Sequence, residues 1–142
     1  IELAGEINTS MPEYVVGKLV DALNANGKSI NGAKVLVLGL AYKKDVDDLR
    51  ESPSLELIEL LHKKGAKVAY HDPFIPAMPR MRHYSFNMRS VPLTRNALRR
   101  SDCVLIATDH SVVDYSMIAR TARLVVDTRN AVTEKSRKVV KA

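Results

Sequence analysis

Three cationic side chains occupy positions from which a folded chain could bind an anion: Lys43, Arg50 and Arg129. Lys43 and Arg129 each come shortly after an apolar run, and Arg50 closely precedes Ser52-Pro53, a typical helix start. An ammonium group meets a phosphate as a point charge, and a guanidinium group forms paired hydrogen bonds with a phosphate or a uracil-like edge. A helix N-terminus adds to the attraction. The alternative for Lys43 is a solvated loop lysine.

These cations must be positioned by the elements around them, which the hydrophobic pattern predicts. Apolar, β-rich runs predict strands, and segments with apolar residues at helical spacing alternate with them. The predicted strands are 34–41, 67–71, 87–91, 103–107 and 124–127, and the predicted helices among them are 53–64, 94–100 and 114–122. The fold class is therefore α/β: a Rossmann-like doubly wound parallel sheet of about five strands, preceded by an N-terminal helix.

Ligands of such sheets bind beyond the carboxyl ends of the strands. The segments that follow the predicted strands are polar: Tyr42–Lys44, Asp72, Thr108–His110 and Thr128–Asn130. This concentration of polar side chains at one edge of the sheet predicts that the ligand site lies there. Asp127 itself is expected to bond backbone amides.

The chain divides into three predicted segments. Residues 1–26 form an opening helix that ends an interdomain connection, 27–133 form the sheet domain, and 134–142 form a basic tail that frays. Ser10 and Glu13 have the spacing of a capping box, with Pro12 in the first turn of that helix. Because Ile1 is not an initiator Met, the sequence is expected to be part of a longer chain.

Several kinds of chemistry are disfavoured. Gly39-Leu-Ala-Tyr42 lacks the three glycines of the usual dinucleotide loop. Cys103 lies within an apolar run and is predicted to be an inert core thiol. The four histidines are scattered, and the acidic segment 45–48 lacks calcium-loop spacing, so it is predicted to be a salt-bridged loop around Arg50. We expect neither a catalytic residue nor a metal site.

The net charge of +6 is concentrated in one segment. Six arginines lie between Asp72 and Asp102 without an acidic residue among them, and the other 16 basic residues balance 16 acidic ones. A nucleic-acid surface is one alternative, but the segment lacks interleaved aromatic residues and nucleic-acid motifs. A solvated or subunit-facing surface is favoured. No run is long enough for a membrane span, and the single cysteine fits the cytoplasm.

Five motifs together resemble the C-terminal, UDP-binding domain of the UDP-glucose/GDP-mannose dehydrogenase family. They are Glu6-Ile-Asn-x-x-Met-Pro12, Val37-Leu-Gly-Leu-Ala-Tyr-Lys-Lys-Asp-x-x-Asp-x-Arg50-Glu-Ser-Pro53, Gly65-Ala-x-Val-x-Tyr-His-Asp-Pro73, Ala107-Thr-x-His110 and Asp127-x-Arg-Asn130. The wording of the second and third motifs is most similar to the UDP-N-acetylglucosamine 6-dehydrogenase branch.

The resemblance implies a domain of an enzyme that oxidises the C6 hydroxyl of a UDP-sugar to a carboxylate with NAD. UDP-N-acetylglucosamine, UDP-N-acetylmannosamine and UDP-glucose all remain open as the sugar nucleotide. In this family an N-terminal domain holds NAD, the catalytic Cys lies upstream, and the enzyme is a homodimer or larger homo-oligomer. This segment is then expected to bind but not to catalyse.

The resemblance also assigns residues. Tyr42, Lys43 and Arg129 match positions that contact the UDP-sugar, and Arg50 matches a position that reaches NAD, whereas Cys103 does not match the catalytic Cys. The alternative is a stand-alone nucleotide-binding or regulatory module without catalysis.

Overall fold

Five parallel strands form a single sheet in the computed structural model, which describes residues 2–49, 52–79 and 86–142. The strands are β1 (Lys34–Leu38), β2 (Lys67–His71), β3 (Cys103–Ile106), β4 (Val125–Asp127) and β5 (Val139–Lys141). Their spatial order is β2-β1-β3-β4-β5, and all four pairings are parallel. The α/β class and the parallel sheet of five strands are confirmed.

Helices cover both faces of the sheet. They are α1 (Glu2–Ala25), α2 (Pro53–Lys63), α3 (Arg95–Arg100) and α4 (Tyr115–Thr121). Apolar residues of α1 and α2 belong to one core cluster, and those of α3 and α4 belong to a second. Alternate residues of β1 enter the two clusters: Val35 packs in the first and Leu36 in the second. A strand buried on both faces is therefore apolar throughout, which explains the continuous run in the sequence.

The predicted helix starts after β1 are confirmed by their caps. Ser52, Thr94 and Asp114 each have extended backbone, and the side-chain oxygen of each accepts a hydrogen bond from an amide of the first turn. Pro53 occupies the first turn of α2, where its missing N–H removes no helical hydrogen bond. Pro53 and the cap thus place the start of α2 beside the carboxyl end of β1.

The capping box at Ser10 is wrong. Helix α1 runs without interruption from Glu2 to Ala25, with Pro12 inside it. A proline in a helix interior removes one backbone hydrogen bond but does not require the helix to begin there. The apolar face of α1 after this point, which includes Val16, Leu19 and Leu23, packs in the first core cluster.

One of the five predicted strands does not form, and a segment of the tail forms a strand instead. Segment 87–91 forms only isolated bridges, at Ser90 with Tyr70 and at Arg89 with Ala77, so the predicted regular strand is wrong there. The expectation that the tail frays is also wrong, because Val139–Lys141 pairs with β4 as the edge strand β5. Three half-exposed residues that alternate little in polarity give no strand signal in the sequence.

The strand order places a topological switch point between β1 and β3. From β1 the chain first moves outward to β2, and from β3 it continues in the other direction through β4 and β5. At such a point the connections leave the sheet on opposite sides and open a crevice at the carboxyl ends of the two central strands. The fold thus supports the predicted location of a ligand site.

Candidate functional site

A cleft of about 570 Å³ opens at the carboxyl ends of β1, β3 and β4. It lies between this edge of the sheet and the helices α1 and α2. The residues that line it are Met11, Pro12, Val15, Tyr42, Pro53, Leu57, Ala107, Thr128 and Arg129. One wall is apolar and the other carries the Arg129 guanidinium, a combination suited to a ligand with both an aromatic base and an anionic group.

Arg129 crosses from the end of β4 to the end of β1. Its Nε donates a hydrogen bond to the Ala107 carbonyl at 2.9 Å, and its Nη2 donates to the Tyr42 carbonyl at 3.3 Å. These two backbone oxygens fix the plane of the guanidinium group, and its other N–H groups remain to bind an anion. The structure therefore brings two of the predicted site residues, Tyr42 and Arg129, into direct contact.

Tyr42 and Lys43 belong to the loop that follows β1. The amide of Tyr42 donates to the Asp48 carbonyl at 2.8 Å, so the loop returns on itself before α2 begins. Tyr42 is 50% exposed and lines the cleft. Lys43 is exposed in the same loop but is not among the residues that line the cleft. Its long side chain is thus available to a ligand that extends outward.

Arg50 lies outside the described residues, and so does Glu51. The predicted contact of Arg50 with NAD stays a prediction. The predicted salt-bridged loop around Arg50 also stays a prediction. Within the acidic segment before it, Asp45 accepts hydrogen bonds from the amide and the hydroxyl of Ser111, at 2.7 and 2.6 Å. Both hydrogen bonds lower the pKa of Asp45, and the one from the Ser111 hydroxyl has the larger effect. Asp45 thus joins the loop after β1 to the loop after β3.

A buried carboxylate, Asp127, organises the loop that carries Arg129. It ends β4 and accepts hydrogen bonds from the amides of Arg129, Ala131 and Val132 at 3.0, 3.1 and 2.9 Å. The ammonium group of Lys141, in β5, lies 2.8 Å from its Oδ2. The prediction that Asp127 bonds backbone amides is confirmed. Burial acts to raise the pKa of Asp127, but the hydrogen bonds from Lys141 and the amides outweigh it and lower the pKa.

A second buried carboxylate, Asp72, follows β2 and joins three loops. Its Oδ2 accepts the amide of Leu40 at 2.8 Å and Nε2 of His110 at 2.9 Å, and its Oδ1 accepts the amide of Phe74 at 2.8 Å. The amide of Asp45 donates to Nδ1 of His110 at 2.8 Å. An amide can only donate, so Nδ1 carries no proton in this geometry and Nε2 carries it. His110 is therefore a neutral link between Asp72 and Asp45.

Gly39 allows β1 and β3 to approach each other at the switch point. Its φ is +86°, and a Cβ atom there would clash with Cβ of Thr108. The Thr108 hydroxyl in turn donates to the Ala41 carbonyl at 2.7 Å. Thr108 thus packs directly against the backbone of Gly39. The described residues do not form the usual dinucleotide loop.

Cys103 and the potential metal ligands do not form a reactive site within the described part of the chain. Cys103 is fully buried in β3, and burial raises the pKa of its thiol to about 12, so it remains protonated and is a poor nucleophile. Within the described residues, His, Cys, Asp and Glu do not form a group of three or more that could hold a metal ion. The helices of the described part of the chain are all too short or too polar to cross a membrane.

Sequence reasoning placed the supporting carboxylates at strand ends but did not predict their side-chain partners. The hydrogen bond between Asp72 and His110 joins residues 38 positions apart. Lys141 was assigned to a fraying tail, and it contacts Asp127 through strand pairing. The usable signal was the position of each carboxylate directly at a strand end.

An open parallel sheet with a half-apolar, half-cationic cleft at its switch point is characteristic of nucleotide-binding α/β domains. Residues 36–134 match the profile of the UDP-glucose/GDP-mannose dehydrogenase family, UDP binding domain. Because this match covers more than half of the chain, the chain belongs to that family, and it corresponds to the family's UDP-binding domain. The resemblance identified in the sequence is confirmed.

Similar proteins agree with this assignment. The chain is 32% identical over 139 residues to a UDP-N-acetyl-D-mannosamine dehydrogenase from Pyrococcus horikoshii, covering 94% of this chain and 30% of that protein. It is 32% identical over 138 residues to the UDP-glucose 6-dehydrogenase of Haloferax volcanii, covering 95% of this chain and 30% of that protein. A UDP-N-acetyl-D-glucosamine 6-dehydrogenase from Salmonella typhi is 29% identical over 111 residues, or 78% of this chain and 25% of that protein.

Among solved structures, the P. horikoshii UDP-D-ManNAc dehydrogenase superposes with a TM-score of 0.77 at 28% identity, covering 98% of this chain and 32% of that one. The chain thus spans about a third of the length of the relatives it matches.

Proposed function

We propose that this chain binds the UDP end of a nucleotide sugar and forms part of an NAD-dependent UDP-sugar 6-dehydrogenase. Tyr42, Lys43 and Arg129 would contact the UDP-sugar. The sugar would be UDP-N-acetylglucosamine, UDP-N-acetylmannosamine or UDP-glucose, since relatives named for N-acetylated sugars and for glucose match alike. The whole enzyme would oxidise the C6 hydroxyl to the uronate in the cytoplasm, as a homodimer or larger homo-oligomer.

The observation that carries the proposal is the contact between Arg129 and the Tyr42 carbonyl at the mouth of the cleft. It places a fixed guanidinium beside an apolar wall formed by residues such as Pro53 and Leu57. In one arrangement the diphosphate would bind the guanidinium and the uracil base would pack in the cleft. In the other the uracil edge would bind the guanidinium and the diphosphate would lie away from it. Both arrangements use a cation and an apolar surface together.

NAD, as hydride acceptor, would be held mainly outside this chain. The loop after β1 lacks the three glycines of the usual dinucleotide loop, so its backbone does not fit the NAD pyrophosphate in the usual way. Arg50 would reach the cofactor from this domain, as the family resemblance implies. Because Cys103 is buried and protonated, this chain is expected to bind the substrate without turning it over.

The proposal is tested by calorimetric titration of the purified chain with UDP and, separately, with NAD. We expect saturable UDP binding and much weaker NAD binding. Binding of NAD without binding of UDP would contradict the proposal.

Charge reversal tests the assigned residues. Arg129→Glu and Lys43→Glu should each abolish the protection that UDP gives against thermal unfolding. Lys67→Glu is the matched control, because Lys67 is exposed and begins β2 at the opposite edge of the sheet. Protection that persists in Arg129→Glu, or that is equally lost in Lys67→Glu, would remove the assigned roles.

A further inference from the structure

The tail strand β5 ends in a contact with the site. The Nζ atom of Lys141 lies 2.8 Å from Oδ2 of Asp127 and also donates to the carbonyl of Val132 at 2.5 Å. The Asp127 side chain is completely buried, whereas that of Lys141 is 47% exposed. Lys141 therefore brings a positive charge from the surface to a carboxylate that solvent does not reach.

Strand pairing fixes this contact. Lys141 is the register partner of Asp127 in the parallel β4–β5 ladder, and the amide of the next residue, Ala142, donates to the Asp127 carbonyl at 3.0 Å. The backbone of β5 thus places the lysine beside the carboxylate, and the lysine is not an incidental surface partner.

The Asp127 carboxylate sets the shape of the loop that follows it. The loop turns around the carboxylate, because the amides of Arg129, Ala131 and Val132 all point at its two oxygens. Asn130 has a φ of +55°, the left-handed conformation that allows these amides to converge. The direction in which the Arg129 side chain leaves the backbone therefore depends on the position of the carboxylate.

From these contacts we infer that Lys141 is a positioning residue for UDP-sugar binding: it holds Asp127, which holds the loop that presents the Arg129 guanidinium to the cleft. The inference rests on the proposed function of Arg129 and adds to it a residue of the C-terminal strand. Without Lys141, the carboxylate loses its only charged partner among the described residues. The loop is then free to relax, and the bonds of Arg129 to Ala107 and Tyr42 weaken.

The test is a double-mutant cycle on UDP affinity, measured by calorimetry well below the unfolding temperature of each variant. Lys141→Met should weaken UDP binding about tenfold, a coupling of the size found between residues of one hydrogen-bond network. In an Arg129→Met background, Lys141→Met should have no further effect. Lys141→Arg, which keeps the charge and the donors, should restore most of the affinity.

Lys138→Met is the matched control. Lys138 belongs to the same tail, but its Nζ donates to the Arg120 carbonyl, away from the cleft. It should leave the UDP affinity unchanged. Should Lys141→Met not fold, Lys141→Gln replaces it, because glutamine keeps a donor but is too short to bond both Asp127 and Val132. This variant should still weaken UDP binding several-fold.

A second measurement needs no UDP. The Nε–H resonance of Arg129 in an NMR spectrum should be protected from solvent exchange in the unaltered chain and lose that protection in Lys141→Met. A merely structural role would lower thermal stability and leave both this protection and the UDP affinity intact.

The outcomes separate the two proposals. If the unaltered chain binds UDP and Arg129→Met weakens binding but Lys141→Met does not, the inference about Lys141 is overturned and the proposed function stands. Equal losses from Lys141→Met with and without Arg129 also overturn it. Failure of the unaltered chain to bind UDP overturns both.

Discussion

The two sides of the cleft are built around one buried carboxylate each, but the carboxylates are held differently. On the β1 side, made of the loop after β1 with Asp72 and His110, the donors to Asp72 among the described residues are two amides and a neutral imidazole. On the β4 side, made of the loop 128–132 with Asp127 and Lys141, three amides and an ammonium group converge.

The partners also differ in their distance along the chain. Asp72 bonds Leu40 and His110, which follow two other strands, so the β1 side ties three loops together. Asp127 bonds its own loop and the edge strand next to it. The β1 side therefore depends on the packing of the sheet centre, whereas the β4 side depends on one local turn and one ion pair. This difference predicts which changes should harm stability and which should harm binding.

The largest expected effect is the loss of the carboxylate charge on the β4 side. Each oxygen of Asp127 accepts two donors, so the amide nitrogen of Asp127→Asn must face two donors in either orientation. Oδ1 of Asp72 accepts one, so Asp72→Asn can place its nitrogen against one donor alone. At about 1–3 kcal/mol for each unsatisfied donor, we expect losses of about 4 and about 2 kcal/mol in the free energy of unfolding.

Urea unfolding measures both losses. Asp114→Asn is the control, because Asp114 caps α4 through a single amide and asparagine caps equally well. Equal losses at the two buried carboxylates would mean that the two sides of the cleft are not different in the way described.

Gly39 on the β1 side gives the next largest effect. Gly39→Ala should destabilise the fold by about 3 kcal/mol, because left-handed backbone costs an L-residue about 1–2 kcal/mol and the added carbon clashes with Thr108. Gly27→Ala is the matched control. Gly27 has a φ of +73° and open space around it, so it should lose only the backbone part, about 1 kcal/mol. Similar losses for both, again by urea unfolding, would show that the strand ends are free to move apart.

UDP affinity should also depend more on the β4 side than on the β1 side. Arg129→Met removes a guanidinium fixed by two carbonyls and should weaken UDP binding about 30-fold, the equivalent of about 2 kcal/mol for a hydrogen bond to a charged group. Lys43→Met removes an exposed ammonium and should weaken binding about fivefold, since exposed ion pairs contribute about 1 kcal/mol or less. Calorimetric titration gives both values, with Lys67→Met expected to bind as the unaltered chain does. A greater loss of UDP affinity in Lys43→Met than in Arg129→Met would mean that the phosphate binds on the β1 side.

A change of pH near neutrality should have the smallest effect on stability. The pKa of Asp127 is lowered in the folded chain, so its contribution to stability is present above the ordinary carboxyl pKa of about 4 and is lost as the pH falls through the lowered value. Stability from this group should be constant between about pH 5 and 8 and decline only below about pH 4. Lys141→Met removes a hydrogen bond that lowers this pKa, so acid unfolding should begin at a higher pH.

Circular dichroism during an acid titration measures this shift. Lys138→Met should unfold at the same pH as the unaltered chain. An unchanged acid midpoint in Lys141→Met would mean that the amides alone account for the lowered pKa of Asp127.

Much of the fold was predictable because its signals are local. The apolar runs of β1 and β3 are buried on both faces, and the caps at Ser52, Thr94 and Asp114 are contained within a few residues. Strand β5 was not predictable, because three half-exposed residues at a sheet edge carry no such pattern. In the folded chain β5 pairs with the edge of β4, and this pairing brings Lys141 to Asp127.

The site divides in the same way. Arg129 and Tyr42 were identified because each follows an obvious strand, and the resemblance added the contact of Tyr42 with the UDP-sugar. The links from Asp72 to His110 and from Asp45 to Ser111 could not be predicted, because they join residues 38 and 66 positions apart that only the sheet brings together. Local sequence thus indicated the edge of the sheet that carries the candidate site, and the topology determined which residues support it.

The central claim is that the cleft between Tyr42 and Arg129 receives UDP. A crystal structure of the chain with UDP bound tests it most directly. We predict that the diphosphate or the uracil edge lies within hydrogen-bond distance of the Arg129 guanidinium, with the rest of the nucleotide against Tyr42 and Leu57. UDP bound at the opposite edge of the sheet, where Lys28 and Arg123 surround Asp102, would contradict the account.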